Sequence, residues 1–347
     1  MRDIVQNPFR GRGLLDAELL PAEDPGPVTE LLALCPKHAR TPLRDLAELA
    51  ELAGVARVSV KDERSRMDLG SFKALGAAYA IAHEAAQTGA PWETSLSGRS
   101  FTTASAGNHG LSLAAGARIF GAQAIVFLAE TVPESFAARL RGKGAKVIRA
   151  GTTYEQCMAA AEQAAEQKGW TLLSDSSWPR YTDLPWRVME GYLQMAAEAV
   201  EQIGAPPTHI LLQAGVGGLA AAVAAHARKV WGDAPTIVVV EPAAAPALLE
   251  SIRAGRVVTT EGPVSAMGRL DCKTPSMVAL AGLARDADLF VTVTEEEGQA
   301  AVGALQEAGM DTTPSGAAGV AALLSRVPGL GRQSRVLVIV SEGAEDG

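Results

Sequence analysis

Lys73 stands at the first turn of an Ala-rich segment, Ala74 to Ala85, just after the charged run Lys61-Asp62-Glu63-Arg64-Ser65-Arg66. A cation is the wrong sign for a helix N-terminus, whose dipole favours anions. An ammonium so placed tends toward a lowered pKa and service as a nucleophile or Schiff-base former. Most lysines instead reach solvent, and taken alone this stretch favours that reading. Other turns carry chemistry too. Gly215-Val216-Gly217-Gly218-Leu219 can close backbone N–H groups on an anion at a helix start, as a phosphate cradle does. It lacks the Lys and Ser/Thr of a nucleoside-triphosphate loop, and its spacing is not the dinucleotide fingerprint. By itself it reads equally as a tight turn without a ligand. Ser105-Ala106-Gly107-Asn108-His109-Gly110 is a second amide-rich turn, suited to a carboxylate, with Asn108 able to bond a ring hydroxyl. An ordinary helix cap fits it as well, and His109 alone reads as a packing histidine rather than a base. Ser341 follows the last apolar run. Its hydroxyl can meet a ring nitrogen, although standing alone it would be a cap.

The elements that must position these residues alternate between strand and helix. Strands are expected at Val55 to Val60, Phe101 to Ala104, Ala122 to Leu128, Lys146 to Arg149, Thr171 to Leu173, Ile210 to Leu212, Thr236 to Val240, Phe290 to Val293 and Val336 to Val340. Helices are expected between them, with Asp45 capping one at Leu46 to Ala53 and a single long one from Pro185 to Ile203. Capping boxes are expected at Thr152 with Glu155 and at Thr294 with Glu297. Strand–helix alternation of this kind builds parallel sheets, and ligands then gather at the carboxyl ends of the strands. The Gly/Pro/Ser-rich stretch Thr88 to Arg99 reads as a domain crossing. The expected division is a large domain of residues 1–95 and 186–347, and a small one of residues 96–185.

Composition narrows the classes. The 347 residues are 48% apolar and 5% aromatic with 35 glycines, which suits a large buried α/β core. A net charge of -8 and the lack of a Lys/Arg-rich run argue against a nucleic-acid surface. Three cysteines (Cys35, Cys157 and Cys272) without a C-x-x-C pair point to a reducing cytoplasm. The charged N-terminal stretch does not read as a signal peptide, and no segment is apolar enough to span a bilayer. The 5 histidines are not paired at ligand spacing, so the sequence singles out no metal ligand and leaves a metal requirement open.

An amine nucleophile, a phosphate cup, a carboxylate loop and a ring-nitrogen hydroxyl together describe a site for pyridoxal 5′-phosphate, which needs a lysine anchor and acts as an electron sink. The order Lys, Ser-x-Gly-Asn-His, Gly-rich loop, Ser resembles the tryptophan-synthase-β-like, fold type II, pyridoxal phosphate enzymes over nearly the whole chain. That resemblance implies an α/β fold of two doubly wound domains with mostly parallel sheets. It makes Lys73 the Schiff-base lysine, Gly215, Val216, Gly217, Gly218 and Leu219 the phosphate loop, Asn108 the partner of the ring hydroxyl and Ser341 that of the ring nitrogen. The substrate carboxylate falls to Ser105, Ala106, Gly107 and His109. A more specific likeness is to the diaminopropionate ammonia-lyase family. It rests on Val60-Lys61-Asp62-Glu63 through Phe72-Lys73-Ala74-Leu75-Gly76, on Gly107-Asn108-His109-Gly110, on Asp175-Ser176-Ser177-Trp178, on Gln213-Ala214-Gly215-Val216-Gly217, on Leu270-Asp271-Cys272 and on Glu342-Gly343.

This likeness implies a homodimeric enzyme of amino-acid metabolism that takes L-2,3-diaminopropionate to pyruvate and ammonia, with Asp175 removing the Cα proton. A helix cap would be the plainer reading of Asp175. Desolvation beside Trp178 would raise its pKa and make it a better base. The family carries an aspartate just before Gly-Asn-His-Gly, implicated with the D-isomer. Here that position is Ala106, which implies L-selectivity. The family's Cys-Gly-Glu-Pro run is here Cys272-Lys273-Thr274-Pro275, and the added cation could favour an acidic substrate side chain. A dehydratase of serine, threonine or 3-hydroxyaspartate and a β-replacement synthase are the alternative enzymes, and a non-catalytic cofactor carrier is the alternative from another class. A plain dinucleotide-binding protein fits less well, with Glu241 its one candidate ribose acid.

Overall fold

The computed structural model describes residues 3–14 and 19–344. Its strands are β1 (Ile4–Gln6), β2 (Leu43–Asp45), β3 (Arg57–Asp62), β4 (Ser100–Ala104), β5 (Gln123–Leu128), β6 (Lys146–Arg149), β7 (Thr171–Leu172), β8 (His209–Gln213), β9 (Thr236–Pro242), β10 (Leu289–Val293) and β11 (Arg335–Val340). They form two sheets. Seven strands run in the order β1-β10-β9-β8-β11-β3-β2, and four in the order β6-β5-β4-β7. The small sheet is parallel throughout, and the large one is parallel except at its edges, where β1 and β2 pair antiparallel.

The side-chain period of two explains why helices cover both faces of the large sheet. Ile210, Leu212, Ile237, Val239, Leu337 and Ile339 enter one buried cluster. Their neighbours Leu211, Val238, Val240, Val336, Val338 and Val340 enter another. The first cluster continues through the helices Ala74–Ala86 and Asn108–Ile119 into Phe101, Val126 and Leu128 of the small sheet. The helix that follows Lys73 is therefore packed between the two sheets rather than lying at an edge.

Several local expectations shift. Asp45 caps nothing. It ends β2, where its carboxylate accepts from Arg57 Nη2 at 2.7 Å and from Ser59 Oγ at 2.7 Å, and the helix Ala47–Ala53 begins after Leu46 without a side-chain cap. The box expected at Thr152 does not form: Thr153 caps the helix Tyr154–Lys168 by accepting from Gln156 N, while the Gln156 side chain accepts from Thr152 N at 2.7 Å. The box of Thr294 and Glu297 forms as expected. The long helix divides at Tyr192 into Asp183–Gly191 and Leu193–Ile203. Glu241 binds no ribose. Its buried carboxylate accepts from Leu248 N and Leu249 N at 2.7 and 2.8 Å and so caps the helix Ala247–Ala254. Burial pushes its pKa up to about 8.

Most of the charged run before Lys73 is internal. Lys61, Glu63 and Arg66 are fully buried, and Glu198 nearly so. Arg66 donates to Glu63 Oε1 and Oε2 and to Glu198 Oε1 and Oε2, and Lys61 Nζ meets Glu198 Oε2 at 2.7 Å. Buried charges persist only when paired and hydrogen-bonded, as these are. Fixing Arg66 on the helix Leu193–Ile203 fixes the short segment from Arg66 to Lys73 as well. Among the described residues no helix is long and apolar enough to cross a membrane, and no group of three His, Cys, Asp or Glu could hold a metal ion.

Candidate active site

The fold brings the sequence-derived residues to one end of the sheets. Lys73 follows β3, Ser105 follows β4, Asp175 follows β7, Gly215 follows β8 and Ser341 follows β11. These are strand carboxyl ends, where open α/β sheets bind ligands.

Lys73 caps the helix Ala74–Ala86, with its Nζ 5.4 Å from the centre of the Phe72 ring. Its ammonium forms an ion pair with Asp175. The two side chains remain 20% and 17% exposed, enough to meet a small molecule. Burial alone would push the amine below its ordinary pKa, but the Asp175 carboxylate overrides it and the pKa ends raised. The amine is thus not the lowered-pKa group that its helix position suggests. Asp175 shows the mirror image. Burial would raise its carboxyl, but the Lys73 ammonium holds it well below the usual range. The expected upward shift beside Trp178 is absent, and the Trp178 ring stacks on Tyr181 with centroids 4.3 Å apart. Asp175 is not a helix cap either, since the next helix begins at Asp183.

The turn after β4 is shaped by Ser105, whose hydroxyl accepts from Gly107 N at 3.3 Å and Gly110 N at 3.2 Å. Ser105 therefore builds the turn from within through its side chain. The N–H groups of Ala106, Asn108 and His109 find no acceptor among the described residues and can receive a carboxylate. His109 is buried, and its Nε2 donates to Leu173 O at 2.8 Å, which leaves Nδ1 unpartnered. Burial lowers its pKa, so it is neutral. Asn108 donates through Nδ2 to Glu342 Oε2 at 2.6 Å. That bond fixes the amide and leaves a second N–H for a ring hydroxyl.

The Gly-rich turn opens the helix Gly218–Trp231, with Gly217 at φ 102 where a side chain would be strained. A Cβ on Gly215 would lie 2.9 Å from Cys272 Sγ and 3.1 Å from Leu270 Cα. The N–H groups of Gly215, Gly217, Gly218 and Leu219 have no acceptor among the described residues. Unpaired donors at a helix start require an anion or water, so this cup fits a phosphate. The Ser341 hydroxyl bonds to no described residue, while its carbonyl accepts from Phe72 N at 3.0 Å. That bond ties the end of β11 to the residue before Lys73. Amine, phosphate cup, carboxylate turn, ring-hydroxyl donor and ring-nitrogen hydroxyl are all present and oriented by the fold, and they fit pyridoxal phosphate.

Sequence reasoning missed three neighbours. Arg269 lies over the carboxylate turn, so that a Cβ on Gly107 would come within 2.4 Å of its Nη1. Its Nε is 3.8 Å from Glu342 Oε2. Glu342 is buried and holds both Asn108 and the Thr313 hydroxyl. A cavity of ≈ 500 Å³ opens beside Arg269, Thr312, Thr313 and Glu342. Tyr192 is the third. One reading is corrected: Lys273 offers no spare cation to a substrate, because its Nζ meets Asp271 Oδ1 at 2.6 Å, Ala244 O at 2.8 Å and Pro263 O at 2.9 Å.

Comparison with known proteins agrees with this geometry. The chain is 31% identical over 282 residues to the diaminopropionate ammonia-lyase of Salmonella typhimurium, covering 75% of this chain and 70% of that one. A serine dehydratase-like protein of Mus musculus is 30% identical over 324 residues, covering 91% and 92%. The crystal structure of the Escherichia coli diaminopropionate ammonia-lyase, in complex with an aminoacrylate-PLP azomethine reaction intermediate, superposes with a TM-score of 0.87 at 29% identity, covering 99% of this chain and 94% of that one. The family model described as pyridoxal-phosphate dependent enzyme matches residues 34–342. With the fold, the fitted cup and these likenesses in agreement, the chain belongs to the pyridoxal-phosphate dependent enzyme family, has its fold type II architecture and uses pyridoxal 5′-phosphate as its cofactor.

Proposed function

We propose that this enzyme is an ammonia-lyase that eliminates the β-amino group of L-2,3-diaminopropionate and, with water, yields pyruvate and two molecules of ammonia. The observation that carries the reading is the Lys73–Asp175 pair, an amine and a carboxylate joined at the strand ends beside a phosphate cup. Its likeness to diaminopropionate ammonia-lyases supports the substrate.

When bound, pyridoxal phosphate supplies the electron sink for negative charge at the substrate Cα. Lys73 supplies the amine that holds the cofactor covalently between turnovers. The N–H groups of Gly215, Gly217, Gly218 and Leu219 hold its phosphate, with Val216 completing the turn. Asn108, steadied by Glu342, donates to its ring hydroxyl. Ser341 would serve its ring nitrogen as a neutral hydroxyl, a partner that would favour loss of a β group over amino transfer. The amides of Ala106, Asn108 and His109, in the turn formed with Ser105 and Gly107, fix the substrate carboxylate and so orient the Cα–H bond. Asp175, ionised at neutral pH, takes the Cα proton from the L-isomer. Ala106 places a methyl group, which cannot act as a base, on the other approach. L-2,3-diaminopropionate should accordingly turn over while the D-isomer is slower by roughly a hundredfold or more, the usual contribution of a general base. Comparable rates for the two isomers in a coupled pyruvate assay would refute the assignment.

A dehydratase acting on serine, threonine or 3-hydroxyaspartate is the second reading, supported by the match to the serine dehydratase-like protein. The domains are proposed as residues 1–95 with 186–347 and residues 96–185, consistent with strands of the large sheet coming from both ends of the chain and those of the small sheet from its middle. A homodimer follows from the family resemblance. Cytoplasmic residence is proposed on the free thiols of Cys35, Cys157 and Cys272.

A further inference from the structure

Tyr192 is 1% exposed, and its hydroxyl hydrogen meets no acceptor among the described residues. Leaving a buried hydroxyl unpaired costs the full desolvation of that group, so such an atom calls for an explanation. The local sequence is arranged to admit it. Tyr192 sits at the break between the helices Asp183–Gly191 and Leu193–Ile203, and two glycines, Gly76 and Gly218, leave room for its ring. A Cβ on Gly76 would lie 2.6 Å from its Cε1 and 2.8 Å from its hydroxyl oxygen, and one on Gly218 would lie 3.3 Å from its Cε2. Gly191 lets the preceding helix close on the Lys73 helix, since a Cβ there would meet Leu75 O at 2.4 Å. The ring also packs on Phe72, with centroids 4.9 Å apart. The phenol is thereby wedged between two helix N-termini, one carrying Lys73 and the other carrying the Gly-rich cup.

The chemistry of its surroundings decides what the hydroxyl meets. The Lys73 ammonium, paired with Asp175, can only donate, so it can serve the phenol oxygen but not its hydrogen. The cup presents only N–H donors. A neutral phenol there holds a hydrogen with no acceptor, and an anion seated in the cup provides one. Resting on the cofactor assignment, we propose that Tyr192 is a cofactor-binding residue whose O–H donates to the phosphate of pyridoxal phosphate, closing the side of the cup that the Gly215–Leu219 amides leave open. Burial raises the phenol above its ordinary pKa, which keeps it in the donor form throughout the working range.

The test compares two ligands that differ only in the phosphate. Wild-type and Y192F apoproteins are titrated with pyridoxal phosphate and with pyridoxal, following the visible absorbance of lysine-bound cofactor, with thermal unfolding as a check that the ring still packs. Y192F retains the ring and should fold. Its affinity for pyridoxal phosphate should fall roughly tenfold, the scale of a lost hydrogen bond to a charged group, while pyridoxal binds as it does to the wild type. Equal losses for both ligands, or no loss for either, would overturn the phosphate assignment while leaving the cofactor assignment intact. A wild-type protein that forms no lysine-bound absorbance with pyridoxal phosphate would overturn both.

Discussion

Replacing Lys73 with alanine should eliminate the visible absorbance of protein-bound cofactor and lower turnover of L-2,3-diaminopropionate by at least roughly a thousandfold, as expected when a covalent nucleophile is removed. Among the described residues Lys73 is the amine that the fold brings to the strand ends bearing the phosphate cup and the carboxylate turn, and the covalent link depends on it. The loss should be chemical rather than structural. Lys73 is partly exposed, and its removal leaves the buried Arg66–Glu63–Glu198 network in place. Absorbance retained by K73A would place the covalent anchor elsewhere. The substitution has a second consequence. Without the ammonium, burial acts on Asp175 with far less opposition, and the carboxyl pKa should rise from its depressed value.

Replacing Asp175 with asparagine should separate binding from chemistry. The amide keeps the shape of the carboxylate but cannot accept the Cα proton, so kcat for the L-isomer should fall by roughly 10²–10⁴-fold, or about 3–5 kcal/mol of barrier. The lysine-bound absorbance should persist, because Lys73 and the phosphate cup are untouched. Its pH dependence should move in a defined direction. Asp175 holds the Lys73 amine above its ordinary value against burial. Once the carboxylate is gone, burial dominates and the amine pKa falls, so covalent attachment should extend to lower pH than in the wild type. Unchanged turnover in D175N would remove Asp175 as the base. An unchanged pH profile would contradict the ion pair as the source of the shift.

Much of this site was legible because its parts lie at strand ends, where apolar runs stop and glycine or polar residues begin. Gly217 at φ 102 and the buried β8 and β11 runs that lead to Gly215 and Ser341 are local features, and sequence carries them. The pairing of Lys73 with Asp175 spans 102 residues. It decides the sign of both pKa shifts, and no local rule contains it. Lys273 was misread in part for the same reason: its ion-pair partner Asp271 is local, but Ala244 O, which also binds it, comes from another segment. Asp45 and Thr152 failed at the level of caps, where one residue of register changes which side chain faces the helix start. Tyr192 was hidden inside an apolar helical pattern. Its visible signal was the set of glycines at 76, 191 and 218, each meaningful only once the helices are brought together. Nothing local in the run marks Lys61, Glu63 and Arg66 as buried. Their partner Glu198 lies more than a hundred residues away.

The most direct measurement of the central claim is the ratio of ammonia to pyruvate released from L-2,3-diaminopropionate by enzyme loaded with pyridoxal phosphate, with L-serine run in parallel. The account predicts two ammonia molecules per pyruvate from the diamine, at a rate well above that with serine. Faster release from serine, at one ammonia per pyruvate, with little from the diamine would contradict the ammonia-lyase assignment and identify the enzyme as a dehydratase.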